Sequence, residues 1–279
     1  MNKFKLTDEK IELCGRTLHR IVCVTAFASV SVGELGGWVE SENNLSQCGD
    51  AWVYGNAKVY GDAKVYGNAW VCGDAWVYGD AKVYGDAKVY GDAKVYGNAL
   101  VYGNANVCGD AWVYGNTKVY GNAWVYGNAK VYGDAKVYGN ALVYGNAEVC
   151  GDAKVYGNAK VYGNAEVCGD VEVYGDAKVS GDAKVYGNAE VSGDAKVCGD
   201  AKVYGDADYI VLKNSWSSGR YYTYTASNKM WKVGCFYGTG EKLIAKAYKD
   251  SELSGKCYEA SVRYVEELER IKAECKDGK

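Results

Sequence analysis

Proline is absent from this chain of 279 residues, histidine occurs once, methionine twice and phenylalanine three times. Glycine and tyrosine, in contrast, contribute 37 and 27 residues. A composition this biased departs from that of an ordinary globular domain and indicates that the sequence repeats itself.

Further absences exclude several classes of protein. No run of about 18 apolar residues exists, so neither a membrane-spanning helix nor a membrane partner is expected. The first ten residues lack the apolar segment of a secretory signal, which favours a cytoplasmic protein. Acidic residues (35) outnumber basic residues (32), so we expect no general nucleic-acid-binding surface. The eleven cysteines contain no C-x-x-C pair, and we expect neither a metal site nor a cofactor.

A repeat of six residues occupies the middle of the chain. Glycine recurs at every sixth position from Gly49 to Gly205 and defines 27 hexads, the last of which is degenerate. Each hexad reads Gly, Asn or Asp, Ala, a variable residue, Val, and then Tyr, Cys or Ser; Thr117 and Val171 are the only replacements of the alanine. Ala and Val on either side of the variable residue predict a short strand, and the Gly followed by Asn or Asp predicts a turn. Three hexads per coil then predict a triangular prism of about nine coils, roughly 40 Å long.

The spacing of Val53, Ala57, Val59 and Ala63 resembles the hexapeptide-repeat family, which has an aliphatic residue at the first position of its motif and a small one at the fifth. The resemblance covers all 27 hexads, which make up more than half of the chain. It implies an all-β fold, a left-handed parallel β-helix. Many members carry Gly directly after the aliphatic residue, where this chain has Tyr54 and its equivalents. Residues 35–46 also resemble a segment of uncharacterised hexapeptide-repeat proteins of bacteria and prophages.

The two ends of the repeat divide the chain into three domains. Residues 1–47 are predicted to form an N-terminal β-hairpin cap, residues 48–207 the β-helix, and residues 208–279 a small α+β domain. In the last of these we expect strands at 209–212, 220–225 and 230–237, then helices at about 240–249 and 255–275. The apolar face of the longer helix should contain Tyr258, Val262, Val265, Leu268 and Ile271.

The variable residues should face solvent, and those three hexads apart should stack on one side of the prism. Five tryptophans then lie on two sides, Trp52, Trp70 and Trp124 on the first and Trp76 and Trp112 on the second. The third side is almost entirely charged. Exposed aromatic residues favour self-association into a trimer or dimer or a contact with another ligand or protein, and the alternative is stacking between coils.

Cys150 and Cys168 are also three hexads apart and should be vertical neighbours. Because their side chains would run parallel, we expect two thiols rather than a disulfide. The cysteines that precede a repeat glycine are interpreted as small apolar substitutes for tyrosine.

The C-terminal domain offers a second set of candidate binding residues. They are Trp216, Arg220, Tyr222, Tyr224 and Trp231, which could form a recognition surface or instead pack the core of this small domain.

Catalysis has little support in the sequence. Hexapeptide-repeat enzymes are mostly acyltransferases whose general base is a histidine, and His19, which precedes the repeat, is the only histidine here. The uninterrupted coils also offer no loop to build a pocket. The sequence therefore favours a non-catalytic structural or assembly β-solenoid with aromatic residues on its flat sides, and the resemblance of residues 35–46 implies a phage origin. The alternatives are a binding module or inhibitor that acts through the C-terminal domain, and an acyltransferase that uses His19.

Overall fold

Each of the first 26 hexads forms one short strand and one turn in the computed structural model, which describes residues 2–277. Lys94 lies in parallel register between Trp76 and Trp112, which occupy the same position in the preceding and following coils. The Lys94 amide donates to the Ala111 carbonyl at 2.9 Å, and the Tyr96 amide donates to the Val113 carbonyl at 3.0 Å. The chain therefore winds into a parallel β-solenoid of about nine coils of about 18 residues, as the sequence predicts.

The strands are numbered along the chain. Before the repeat come β1 (Phe4–Leu13), β2 (Arg16–Cys23), β3 (Leu35–Val39) and a short 3-10 helix (Glu42–Asn44). The first side of the solenoid comprises β4 (Trp52–Val53), β7 (Trp70–Val71), β10 (Lys88–Val89), β13 (Asn106–Val107), β16 (Trp124–Val125), β19 (Leu142–Val143), β22 (Lys160–Val161), β25 (Lys178–Val179) and β28 (Lys196–Val197). The second side comprises β5 (Lys58–Val59), β8 (Trp76–Val77), β11 (Lys94–Val95), β14 (Trp112–Val113), β17 (Lys130–Val131), β20 (Glu148–Cys150), β23 (Glu166–Cys168), β26 (Lys184–Val185) and β29 (Lys202–Val203). The third side comprises β6 (Lys64–Val65), β9 (Lys82–Val83), β12 (Leu100–Val101), β15 (Lys118–Val119), β18 (Lys136–Val137), β21 (Lys154–Val155), β24 (Glu172–Val173) and β27 (Glu190–Val191).

The interior of the solenoid is a continuous column of alanine and valine side chains that are fully buried. Thr117 is the one polar residue in this column within the described chain, and its hydroxyl donates to the Tyr114 carbonyl at 2.6 Å. Such a narrow, dry interior packs by repetition of one shape, and the hydroxyl is tolerated because it has a backbone partner.

The N-terminal segment forms a hairpin that covers the first coil. Strands β1 and β2 pair antiparallel, and β3 joins β2 to β5, so the hairpin continues the second side of the solenoid. The prediction that Trp52 faces solvent is wrong, because its side chain is fully buried. The rings of Phe4 and Phe27 pack edge-on against Trp52, with centroids 6.3 and 5.4 Å away.

The C-terminal domain is a four-stranded antiparallel sheet with two helices: β30 (Tyr209–Lys213), β31 (Tyr221–Thr225), β32 (Met230–Val233), β33 (Phe236–Gly238), α1 (Gly240–Asp250) and α2 (Glu252–Asp277). The predicted third strand is thus two strands, because the chain reverses at Gly234, which has a φ of +55°. The degenerate last hexad forms a 3-10 turn, Asp206–Asp208, in place of a strand. Ile271 is exposed, so the apolar face of α2 ends before it.

Cys150 and Cys168 form a disulfide, so the expectation of two thiols is wrong. Strands β20 and β23 are one residue longer than their neighbours and include the two cysteines in register. This pairing brings their Cα atoms to 4.5 Å, within the range that a disulfide can bridge.

The turn glycines are required both by their backbone conformation and by the approach of the next coil. Gly121 has a φ of +71°, and a Cβ built on it would lie 3.0 Å from the Gly139 nitrogen. Gly193 has a φ of +60° but open space around it, and Gly205 has an extended backbone and open space.

These three positions separate the two requirements in a substitution series. We expect Gly205→Ala to change the free energy of unfolding by less than about 0.5 kcal/mol and Gly193→Ala to cost about 1 kcal/mol for the left-handed backbone. Gly121→Ala should cost at least about 2 kcal/mol, because the coils must also move apart. Urea denaturation followed by circular dichroism measures all three, and equal losses at Gly121 and Gly193 would contradict the role of close stacking.

Candidate functional site

A ladder of alternating cations and aromatic rings runs along the second side from the hairpin to the middle of the solenoid. The Lys94 ammonium lies 5.3 Å from the Trp76 ring centroid and 4.9 Å from that of Trp112. The Lys58 ammonium, one coil before Trp76, lies 5.5 Å from the Trp76 centroid, and Arg20 lies over Trp38 in the hairpin. The aromatic rings of this side are therefore engaged by cations of the same chain.

The ladder continues toward the C-terminal end as ion pairs between successive coils. Lys130 and Glu148 approach to 3.0 Å, and the third side has a comparable pair between Lys154 and Glu172 at 2.7 Å. Each Glu partner holds the pKa of its lysine above the ordinary value. Vertical neighbours on the solenoid are thus matched in charge at these positions.

The tryptophans of the first side differ from one another in their neighbours and in their exposure to solvent. Trp70 is partly buried, with the Tyr54 ring 5.3 Å away and the Lys88 ammonium 5.9 Å away. Trp124 packs edge-on to Tyr126 and remains 41% exposed. Of the five repeat tryptophans, only Trp112 (37% exposed) and Trp124 present much of their surface to solvent.

Tyrosines before the turn glycines form ladders along the edges of the prism. The rings of Tyr78, Tyr96 and Tyr114 stack with centroids 4.8 Å apart and planes nearly parallel. Burial raises the pKa of Tyr96 to about 12. These three phenols are neutral near pH 7, and their stacked rings pack successive coils together.

The C-terminal candidates separate into buried and exposed residues. Tyr222, Tyr224 and Trp231 are buried in the core between the sheet and the helices, so the prediction of a recognition surface is wrong for these three. Trp216 is 85% exposed in the loop between β30 and β31, and Arg220 is also exposed. The strand alternation puts one face of β31 and β32 against α2, which explains the burial.

A cavity of about 650 Å³ lies between the β32–β33 turn, α1 and Arg220; we call it the C-terminal cleft. Its apolar lining is provided by Val233, Phe236, Leu243 and Ala247. Its charged lining is provided by Arg220, Lys246 and Asp250. The size and the mixed lining are typical of small-molecule sites. Arg220 is among the binding residues predicted from the sequence. Lys246 and Cys235, which also line the cleft, are not, because no sequence motif links α1 to the β32–β33 turn.

A second cavity, of about 390 Å³, lies where the last coils meet the C-terminal domain; we call it the seam cavity. Its lining is Tyr162, Lys178, Ser180, Lys196, Cys198, Lys232, Gly234 and Cys235. Gly234 and Cys235 line both cavities, so the two are neighbours across the β32–β33 turn. The lysines of the solenoid occupy ordinary repeat positions, and nothing in the sequence singles them out.

His19 lies at the other end of the molecule. Its Nδ1 atom is 3.2 Å from the Thr7 carbonyl in the N-terminal hairpin. Neither the C-terminal cleft nor the seam cavity includes it.

Within residues 2–277, no group of three or more His, Cys, Asp or Glu side chains is arranged to hold a metal ion. The helices in this part of the chain are also too short or too polar to cross a membrane.

Comparison with known families returned a match to the YdcK beta solenoid repeat, at residues 93–109 and 135–151. Both segments lie in the coils, and the chain is therefore similar to beta-solenoid repeat proteins there. A search of curated proteins gave no match.

Proposed function

We propose that the protein is a non-catalytic binding protein in which a rigid hexapeptide-repeat β-helix carries a ligand-binding C-terminal domain. The observation that supports this role is the C-terminal cleft, whose volume of about 650 Å³ suits a small molecule. Its apolar lining would hold an uncharged ring or chain, and Arg220 and Lys246 would attract a negatively charged group.

The surroundings of the tryptophans favour this role over assembly through the flat sides. Trp52 is covered by the N-terminal cap, and Trp76 lies between two lysines of the same chain. These rings stabilise the stack of coils and have little surface left for a partner.

The position of His19 argues against an acyltransferase role. His19, the only histidine, bonds within the N-terminal hairpin at the opposite end from both cavities. The likeness of residues 35–46 to bacterial and prophage proteins supports a relationship to that group, and a cytoplasmic location fits it.

The cleft can be tested with the fluorescent probe 1-anilinonaphthalene-8-sulfonate, which combines apolar rings with an anionic group. We expect saturable binding of this dye to the full chain. Cys235→Trp should fill the cleft from an exposed position and weaken binding at least tenfold, while Cys275→Trp, at an exposed position on α2, should leave it within twofold. Fluorescence titration measures both. Equal binding by the two variants would remove the cleft as the site.

Self-association is a second candidate because Trp112 and Trp124 remain exposed on two sides of the prism. Light scattering coupled to size-exclusion chromatography would then give a mass two or three times that of the 30.2 kDa chain. Replacing both tryptophans by lysine should return the mass to that of one chain, because like charges would face each other across the contact. A single-chain mass for the unaltered protein would remove this candidate.

A further inference from the structure

The seam cavity concentrates positive charge in a protein whose formal net charge is −3. Lys178 and Lys196 are vertical neighbours in adjacent coils, in direct parallel register. Lys232 reaches the same cavity from β32 of the C-terminal domain. All three side chains are partly buried, and the cavity lining contains no acidic residue.

Lys178 and Lys196 differ from those solenoid lysines that have a partner in the same chain. Lys130 and Lys154 each form an ion pair with a glutamate one coil away, and Lys94 lies between two tryptophan rings. Within the described chain, neither Lys178 nor Lys196 has an ion-pair partner within 4.0 Å. Like charges stacked directly opposite one another repel, and a bound anion would relieve that repulsion.

Acidic residues lie nearby but outside the seam cavity. Asp176 and Asp194, at the turns of the same coils, line a separate shallow groove together with Lys178 and Lys196. Their negative charges offset part of the positive charge of Lys178 and Lys196 along that groove. The other lining residues of the seam cavity include Tyr162 and Ser180, which carry neutral hydroxyl groups.

The Cys198 thiol lies in the wall of the seam cavity, close to these lysines. Burial raises the pKa of this thiol, while the positive charges of Lys232 and Lys196 act in the opposite direction. The solenoid lysine and the domain lysine thus both act on Cys198 in the wall of the cavity. Arg220 lies close to the shared wall, with its Nη1 atom 3.8 Å from where a Cβ on Gly234 would stand.

We infer that the seam cavity binds the phosphate group of a small phosphorylated molecule between Lys178, Lys196 and Lys232, and that the uncharged part extends past Gly234 into the C-terminal cleft. A phosphate monoester carries about −1.5 to −2 charge and offers three strong acceptor oxygens, which suits a cavity lined by three lysines. This inference rests on the proposed binding function and names the chemical class of its ligand.

Inorganic pyrophosphate is the probe for this site, titrated by calorimetry into the full chain at fixed ionic strength. We expect saturable binding by the unaltered protein and at least tenfold weaker binding by the double variant Lys196→Gln, Lys232→Gln. The matched control is Lys118→Gln, Lys136→Gln, which removes the same charge from stacked positions on the third side; its affinity should stay within twofold. Circular dichroism verifies that both variants are folded.

Two results would overturn the inference. One is a lack of saturable pyrophosphate binding by the unaltered protein, and the other is an equal loss in both double variants, which would indicate a general charge effect. If the anilinonaphthalene dye still binds the cleft in either case, the proposed function stands without the phosphate site. If the dye does not bind the unaltered protein, the proposed binding function itself is contradicted.

Discussion

Each coil of the solenoid bonds to the coil before it and the coil after it, and each end of the stack lacks one of these neighbours. In every coil the strand amides donate toward the following coil, so the first coil leaves carbonyls without donors and the last coil leaves amides without acceptors. The N-terminal segment supplies donors. The Lys3 ammonium reaches the Ala51 carbonyl at 2.7 Å, and the Asn44 side-chain amide reaches the carbonyls of Gly61 and Ala63, both at 2.9 Å.

The C-terminal segment supplies acceptors in turn. The amide of Lys196 donates to the Thr223 hydroxyl at 2.8 Å, and that of Lys202 donates to the Ser227 hydroxyl at 2.7 Å. The amide of Glu190 donates to a carboxylate oxygen of Asp206, which completes the last three strands. Such pairing blocks the open edge against further strand addition. It also holds the C-terminal domain against the final coils, and the seam cavity is a consequence of that contact.

The regular part of this architecture could be predicted from the sequence because every hexad repeats the same short pattern of residues. The glycine spacing, the Ala and Val alternation and the three-hexad register are local or periodic, and the structure agrees with all of them. Non-local contacts could not be predicted. Trp52 is buried only because Phe4 and Phe27 return over it from the cap. The disulfide between Cys150 and Cys168 depends on two strands that extend by one residue.

The candidate site is less visible in the sequence than the fold, for the same reason. Lys178 and Lys196 look like any other repeat lysine until Lys232 is placed opposite them by the docking of the domain. The aromatic residues of β31 and β32 suggest a recognition surface when only the sequence is considered. In the structure, Tyr222 and Trp231 instead form part of the small core. Burial of large aromatic rings is the main source of stability available to such a domain.

In the proposed function, ligands bind at the C-terminal end while the coils serve as a rigid support. Hydrogen–deuterium exchange of the full chain, with and without saturating anilinonaphthalene-sulfonate, tests it directly. We expect slower exchange in residues 230–250, around the β32–β33 turn and α1, with no change in the coils of residues 49–150. Slower exchange confined to the coils around Trp112 and Trp124 would contradict it, because binding would then occur on the flat sides.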